Sequence, residues 1–217
     1  DGEEDEGAVD AFLLYVDDDG DGFGTGETIA TCDDDDDLSE ESGDCDDDDD
    51  DVYPGAAEDC NGIDQNCDGI VDNTADCPCT QYNFDGNSYM FCESIERWTN
   101  ARDECRDHGY ELVTINEALE QEWLLTVIRE YWDVSNRPYW TGLNDRGSER
   151  GGSRSGWSWV SGQSYGFQAW HYSGWPQPDN SGNEDCIEVN RWSWAGVWDD
   201  WNDMRCWESQ AYICEAG

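Results

Sequence analysis

Two regimes of apolar and polar residues meet near residue 78 of this 217-residue chain. Ahead of that point apolar residues gather in one short run, Ala11-Phe12-Leu13-Leu14-Tyr15-Val16, bounded on both sides by polar sequence, which predicts a strand rather than a helix. Residues 1–10 are acidic and glycine-containing and predict a solvated tail, with an acidic segment over 11–76. Beyond the junction Asp76-Cys77-Pro78-Cys79 the periodicities become those of a packed domain over 79–217. Phe84 to Phe91 reads as an opening hairpin turning at Asp85-Gly86. Ser94 is placed as the N-cap of a helix carrying Ile95, Trp98, Ala101, Arg102 and Cys105 at helical spacing. A second helix is predicted after Asn116, with Leu119, Trp123, Val127, Ile128 and Tyr131 along one stripe. Short aromatic strands and long Gly/Ser loops make up the rest, which gives an α+β domain.

Charge narrows the function. Asp and Glu number 54 against 10 Lys and Arg, for a net charge of -44, and no basic side chain precedes Arg97. Such a field repels nucleic acid and anionic lipid and attracts divalent cations. Eleven cysteines at short spacings imply a disulfide framework and an oxidising compartment, hence a secreted or extracellular-surface location. The chain begins without Met or an apolar leader, so we read it as a mature secreted form. Its longest apolar run, Ala11 to Val16, is too short for membrane insertion.

Oxygen-bearing side chains recur at cation-ligand spacing in three places. Asp17, Asp19 and Asp21 alternate ahead of the Phe23 carbonyl, as in the opening of an EF-hand-like calcium loop. The spacing returns at Asp64, Asn66, Asp68, the Ile70 carbonyl and Asp72, and Asp44, Asp46 and Asp49 supply further carboxylates between. The third place runs from Trp175 to Cys206 and gathers Gln177, Asp179, Glu184, Asn202 and Asp203. All end in oxygen, which suits calcium and not zinc. The amides of Gln177 and Asn202 can donate to a sugar hydroxyl, and the carboxylates of Asp179 and Glu184 can accept from one.

These residues carry a resemblance. With Gln177-Pro178-Asp179 and Trp201-Asn202-Asp203 stand Trp140-Thr141-Gly142-Leu143-Asn144-Asp145, Gly156-Trp157-Ser158-Trp159 and Tyr212-Ile213-Cys214-Glu215 in order, so residues 79–217 resemble a C-type lectin domain. The front segment resembles the cysteine-framed MopE-type metal-binding motif, with loops of the thrombospondin type 3 kind. The lectin resemblance implies a principal calcium and carbohydrate site at Gln177, Asp179, Glu184, Asn202 and Asp203, and an auxiliary site at Asp145, Glu149, Asn180, Glu184 and Asp185. It also implies a cis Pro178 and a preference for galactose-type sugars, although Asn180-Ser181-Gly182 stands where such binders place a tryptophan and a glycine-rich loop. The pairs it implies are Cys105 with Cys214 and Cys186 with Cys206, and Cys79 with Cys92 would close the hairpin. We pair Cys32 with Cys45 and Cys60 with Cys67, which leaves Cys77 over; alternatively Cys77 takes Cys92 and Cys79 is the spare.

The expected function is calcium-dependent binding of glycans or glycoproteins. The alternative is an extracellular structural or adhesive subunit, a homo-oligomer or polymer joined through the Ala11 to Val16 strand or a spare cysteine. No enzyme is expected, because His108 and His171 stand apart from any nucleophile motif. Tryptophans 98, 140, 157, 159 and 201 are expected in the core.

Overall fold

The computed structural model describes residues 12–31, 37–131, 137–147, 156–189, 191–193, 196–198 and 200–217. It divides into two compact units, one of residues 1–59 and 63–75 and one of residues 60–62 and 76–217.

In the first unit the strands are β1 (Phe12–Val16), β2 (Phe23–Thr31), β3 (Leu38–Ser39) and β4 (Glu41–Ser42), in the order β3-β1-β2-β4. The strand read over Ala11 to Val16 as a joint between subunits finds partners within its own chain: β1 pairs antiparallel with β2 on one side and with β3 on the other. The reason is local: the aspartate loop after Val16 reverses the chain and returns the β-branched stretch Thr25–Thr31 alongside it. Gly24 permits the tightest approach, since a Cβ there would lie 2.3 Å from the Val16 carbonyl oxygen. Apolar packing is sparse: Leu14 and Val52 are buried, and Phe23 stacks on Tyr53 at 5.7 Å. A core this small leaves much of the order to the Cys45–Cys67 disulfide and to carboxylates that accept loop amides.

The second unit carries β5 (Thr80–Phe84), β6 (Asn87–Arg97), α1 (Trp98–Asp107), β7 (Glu111–Leu112), α2 (Ala118–Tyr131), β8 (Tyr139–Asn144), β9 (Ser158–Trp159), β10 (Cys186–Val189), β11 (Arg191–Ser193), β12 (Gly196–Trp198), β13 (Asn202–Met204) and β14 (Ser209–Ala216). Its main path runs β13-β10-β8-β14-β6-β5, with β7 on β14 and β9 on β8. The pairings are antiparallel except β8 with β14. The hairpin turns at Asp85 and Gly86, both at positive φ. The first helix starts later than expected. Ser94 lies within β6, which stays paired with β14 as far as Arg97 opposite Ser209, so the sheet claims the residues that would have formed the cap. The Trp98 amide then donates to the Cys206 carbonyl at 3.2 Å, and His108 closes the helix.

The second helix also faces differently. Leu124, Leu125, Val127 and Ile128 are buried, but Leu119 is 66% exposed. The inward positions of its first turns belong to Glu120 and Gln121, which accept hydrogen bonds from the Tyr89 hydroxyl (3.1 Å) and from Trp201 Nε1 (2.8 Å). Trp98, Trp140, Trp157, Trp159 and Trp201 are all buried.

Disulfides join Cys79 to Cys92, Cys105 to Cys214 and Cys186 to Cys206. The front pairing differs from expectation. Cys45 bonds Cys67 and Cys60 bonds Cys77, in place of Cys32 with Cys45 and Cys60 with Cys67. Neither Cys77 nor Cys79 is the spare, so the odd cysteine of the eleven is Cys32, which lies outside the described residues. Sequence nearness misleads here because Cys60 travels with the second unit while Cys67 remains with the first.

Candidate cation and ligand site

The loop between Trp175 and Cys186 is held at both ends before any ligand is considered. The Gln177 amide donates to the His171 carbonyl, and His171 is fixed in turn by Asp200 Oδ2 at 3.0 Å from its Nδ1. At the other end Cys186 is bonded to Cys206. Between them the Gln177–Pro178 peptide is cis, and Asn180 and Asn183 adopt positive φ.

This path wraps the loop's own amides around Asp203, a fully buried residue on β13. The Asp179 amide donates to its Oδ1 at 3.1 Å and the Asn180 amide to its Oδ2 at 2.7 Å. The Ser181 amide bridges Asp179 Oδ1 (2.9 Å) and Glu184 Oε2 (3.1 Å), and Asn180 Oδ1 accepts from the Glu184 amide. Oxygens of Asp179, Glu184 and Asp203 thus lie within 4.8 Å of one another. Like charges so close oppose ionisation. Burial, then the carboxylates of Asp203 and Asp179, push the Glu184 carboxyl up to about 7, and burial raises Asp203 despite the amides that it accepts.

Asn202 stands beside Asp203 on β13, paired with Glu188 of β10. Its Nδ2 donates to Glu188 Oε1 at 2.9 Å and to the Asp203 carbonyl at 2.7 Å. Both amide hydrogens are spent, so Asn202 presents its oxygen rather than the donor expected for a sugar hydroxyl. That Oδ1 is buried and meets no hydrogen-bond donor. Gln177 is 5% exposed, and its Oε1 accepts the Asp179 amide at 3.0 Å. Three carboxylates and two amide side chains, with a buried oxygen awaiting a positive partner, fit a hard divalent cation and offer no imidazole or thiolate to zinc.

The auxiliary group is brought together in part. The Asp145 amide donates to the Asp185 carbonyl at 3.1 Å, and Asn183 Nδ2 donates to Asp185 Oδ2. Glu149 lies outside the described residues. Of the tryptophans near the loop, Trp175 is 70% exposed, and the side chains of Trp192, Trp194 and Trp198 lie outside the described residues.

In the first unit Asp17 accepts the amides of Gly20 (2.8 Å) and Gly22 (3.2 Å), and Asp17, Asp19 and Asp21 form another carboxylate cluster within 4.8 Å. Phe23 follows, its amide on Asp21 Oδ1. In the later loop Asp64 accepts the Asp68 and Gly69 amides, Asn66 Oδ1 accepts the Asp68 amide, and Asp68 Oδ1 accepts the Ile70 amide. Asp72 is fully buried. Asp44 is buried, whereas Asp46 and Asp49 are exposed. Three carboxylates escaped the sequence reading: Glu58, whose Oε1 accepts the Asn66 amide; Glu188, which orients Asn202; and Glu120, held up to about 7 by burial. Glu58 sits in a Cys-framed acidic run where no spacing marks it, and Glu188 is hidden in the apolar strand Cys186–Val189.

Residues 94–216, more than half of the chain, match the family model "Lectin C-type domain". The chain belongs to the C-type lectin domain family. Residues 44–73 match a second family model, of MopE type, described as a "Putative metal-binding motif". Among curated C-type lectin relatives, C-type lectin domain family 4 member M of Pan troglodytes is 38% identical over 141 residues, which are 64% of this chain and 28% of that protein. A perlucin-like protein of Mytilus galloprovincialis is 32% identical over 64% of this chain and 81% of its own length. Of solved structures, the mouse scavenger receptor C-type lectin carbohydrate-recognition domain aligns with a TM-score of 0.51 at 31% identity, covering 64% of this chain and 94% of that domain. The chain thus spans under a third of its chimpanzee relative. Among the described residues no helix is long and apolar enough to cross a membrane.

Proposed function

We propose that this protein binds glycans or glycoproteins outside the cell through a calcium ion held by Gln177, Asp179, Glu184, Asn202 and Asp203. One observation carries the reading: three carboxylates converge within 4.8 Å, an arrangement whose repulsion a bound cation relieves, and Asn202, the chain neighbour of Asp203, keeps a buried Oδ1 without a donor. Calcium supplies open coordination positions for a pair of sugar hydroxyls. The chain's own part is to hold the ligand oxygens: Asp203 through two loop amides, Asn202 through Glu188, and the loop through the Cys186–Cys206 disulfide. Asp179, at the exposed edge, accepts a hydrogen bond from a bound hydroxyl. The likeness to a carbohydrate-recognition domain supports a sugar as ligand, and the five disulfides support an oxidising, extracellular setting. Galactose-type sugars are the proposed class, on the Gln177-Pro178-Asp179 order alone. The test is a glycan array at millimolar calcium and after chelation. Binding present with calcium, lost on chelation and weakened at least tenfold by Asp179→Ala supports the reading; no glycan bound at millimolar calcium sinks it.

A further inference from the structure

The turn that carries the candidate cation loop past Asn180 divides its backbone groups between two kinds of partner. Its amides go to the acidic cluster: those of Asp179 and Asn180 to Asp203, and that of Ser181 to Asp179 and Glu184. The next carbonyls go to a cation. Arg205 Nη2 donates to the Ser181 carbonyl and Arg205 Nε to the Gly182 carbonyl, both at 3.3 Å. Two donors of one planar guanidinium thus span successive carbonyls, a fork that the compact ammonium of a lysine does not reproduce. The fit is close. A Cβ on Gly182, which sits at φ +85°, would lie 2.6 Å from Arg205 Nη2 and 3.3 Å from its Nε, so the bare glycine lets the guanidinium lie against the loop.

Arg205 is itself anchored. It directly follows β13, which carries Asn202 and Asp203 and whose Met204 pairs opposite Cys186. Its chain neighbour Cys206 is bonded to Cys186, and the Cys206 carbonyl accepts the Trp98 amide at 3.2 Å. The Arg205 carbonyl accepts the Glu208 amide at 2.9 Å, and its guanidinium carbon lies 5.9 Å from the centroid of the Trp207 ring. One end of this clamp is fixed in the sheet and the other grips the loop. The restraint matters most when no ion is bound. Oxygens of Asp179, Glu184 and Asp203 lie within 4.8 Å of one another, and once ionised they repel, which drives the exposed Asp179 away from the buried Asp203.

We propose that Arg205 is a positioning residue that holds residues 179–184 in the cation-binding conformation before the ion arrives, an inference that rests on the calcium site proposed above. A loop already in place spares the ion the ordering cost, so the clamp raises affinity although the charge of Arg205 by itself repels a cation. The two effects have opposite signs and are therefore separable.

Amide hydrogen exchange followed by NMR on the calcium-free full chain tests this, with a calcium titration read on the same resonances. Arg205→Lys keeps the charge and loses the fork, whereas Arg205→Gln loses both. In each variant the amides of Asp179, Asn180 and Ser181 are expected to exchange at least tenfold faster than in wild type, with those of β14 unchanged. Calcium affinity at these residues is expected to fall about tenfold in both, the loss of a pair of charge-assisted hydrogen bonds. Wild-type exchange at the three amides in Arg205→Lys would overturn the proposal. So would tighter calcium binding in Arg205→Gln beside wild-type affinity in Arg205→Lys, the result of a charge acting alone. An equal loss of protection in β14 would make Arg205 a brace of the whole unit and would overturn it too. Because exchange is read without calcium or sugar, wild-type exchange in the variants beside a calcium-dependent glycan signal sinks the clamp alone, and faster exchange beside no glycan binding sinks the glycan reading alone.

Discussion

The raised Glu184 carboxyl would make the calcium binding proposed for the lectin-like site a competition with a proton. Burial and the carboxylates of Asp203 and Asp179 bring this group up to about 7 in the ion-free protein. Calcium requires the ionised form, so the apparent dissociation constant is multiplied by one plus the ratio of protonated to ionised carboxyl. That factor is close to one at pH 8, about 2 at pH 7 and about 100 at pH 5, the last being about 2.7 kcal/mol at roughly 1.36 kcal/mol per pH unit. Asp203, also raised, steepens the acid limb. The sign for stability is opposite to that of a salt-bridged carboxylate. The folded pKa lies above the unfolded value, so the native ion-free protein keeps a proton that the unfolded chain has lost, and its stability falls as pH rises from about 4.5 to about 7. The assay is surface plasmon resonance on an immobilised glycan, titrating calcium at pH 5, 6, 7 and 8. Wild type should show log Kd for calcium rising by about one for each pH unit below 7, and Glu184→Gln should bind more weakly but with a flatter profile between pH 6 and 8. Equal calcium affinity at pH 5 and pH 8, or the same slope in Glu184→Gln, would refute the reasoning.

The other predictions concern residues that brace the lectin-like unit. Glu120, raised to about 7 chiefly by burial and further by the charge of Glu215, resists ionisation although the Tyr89 hydroxyl donates to it, so Glu120→Gln is expected to raise stability to urea at pH 8 by about 3 kcal/mol and to leave it nearly unchanged at pH 4.5; a pH-independent difference would contradict this. Glu188→Ala strands the buried amide of Asn202 and the partly buried amide of Gln210, with an expected loss of about 3 kcal/mol in urea unfolding and at least tenfold in calcium affinity. Wild-type calcium affinity in Glu188→Ala would show that Asn202 needs no brace.

The sequence alone determined the class of the domain and the oxygen-bearing residues of its candidate cation site. Residues near one another in the chain or bound to fixed local geometry were legible: the Asp85-Gly86 turn, the core tryptophans, the α+β architecture, and the oxygen-rich set from Gln177 to Asp203. Local preference and periodicity act over a few residues, and a sequence displays those directly. What required long-range pairing was not legible. The start of α1 moved to Trp98 because β14, more than a hundred residues later, extends β6 through the expected cap. Phe12 to Val16 gained partners because the aspartate loop folds β2 back onto it. Cys60 and Cys67, seven residues apart, belong to different units and bond elsewhere. Tertiary structure alone also separated Asp44 from Asp46 and Asp49, and spent both hydrogens of the Asn202 amide on Glu188 and the Asp203 carbonyl. Composition can count carboxylates, but which of their oxygens are buried without a donor depends on atoms brought from distant parts of the chain.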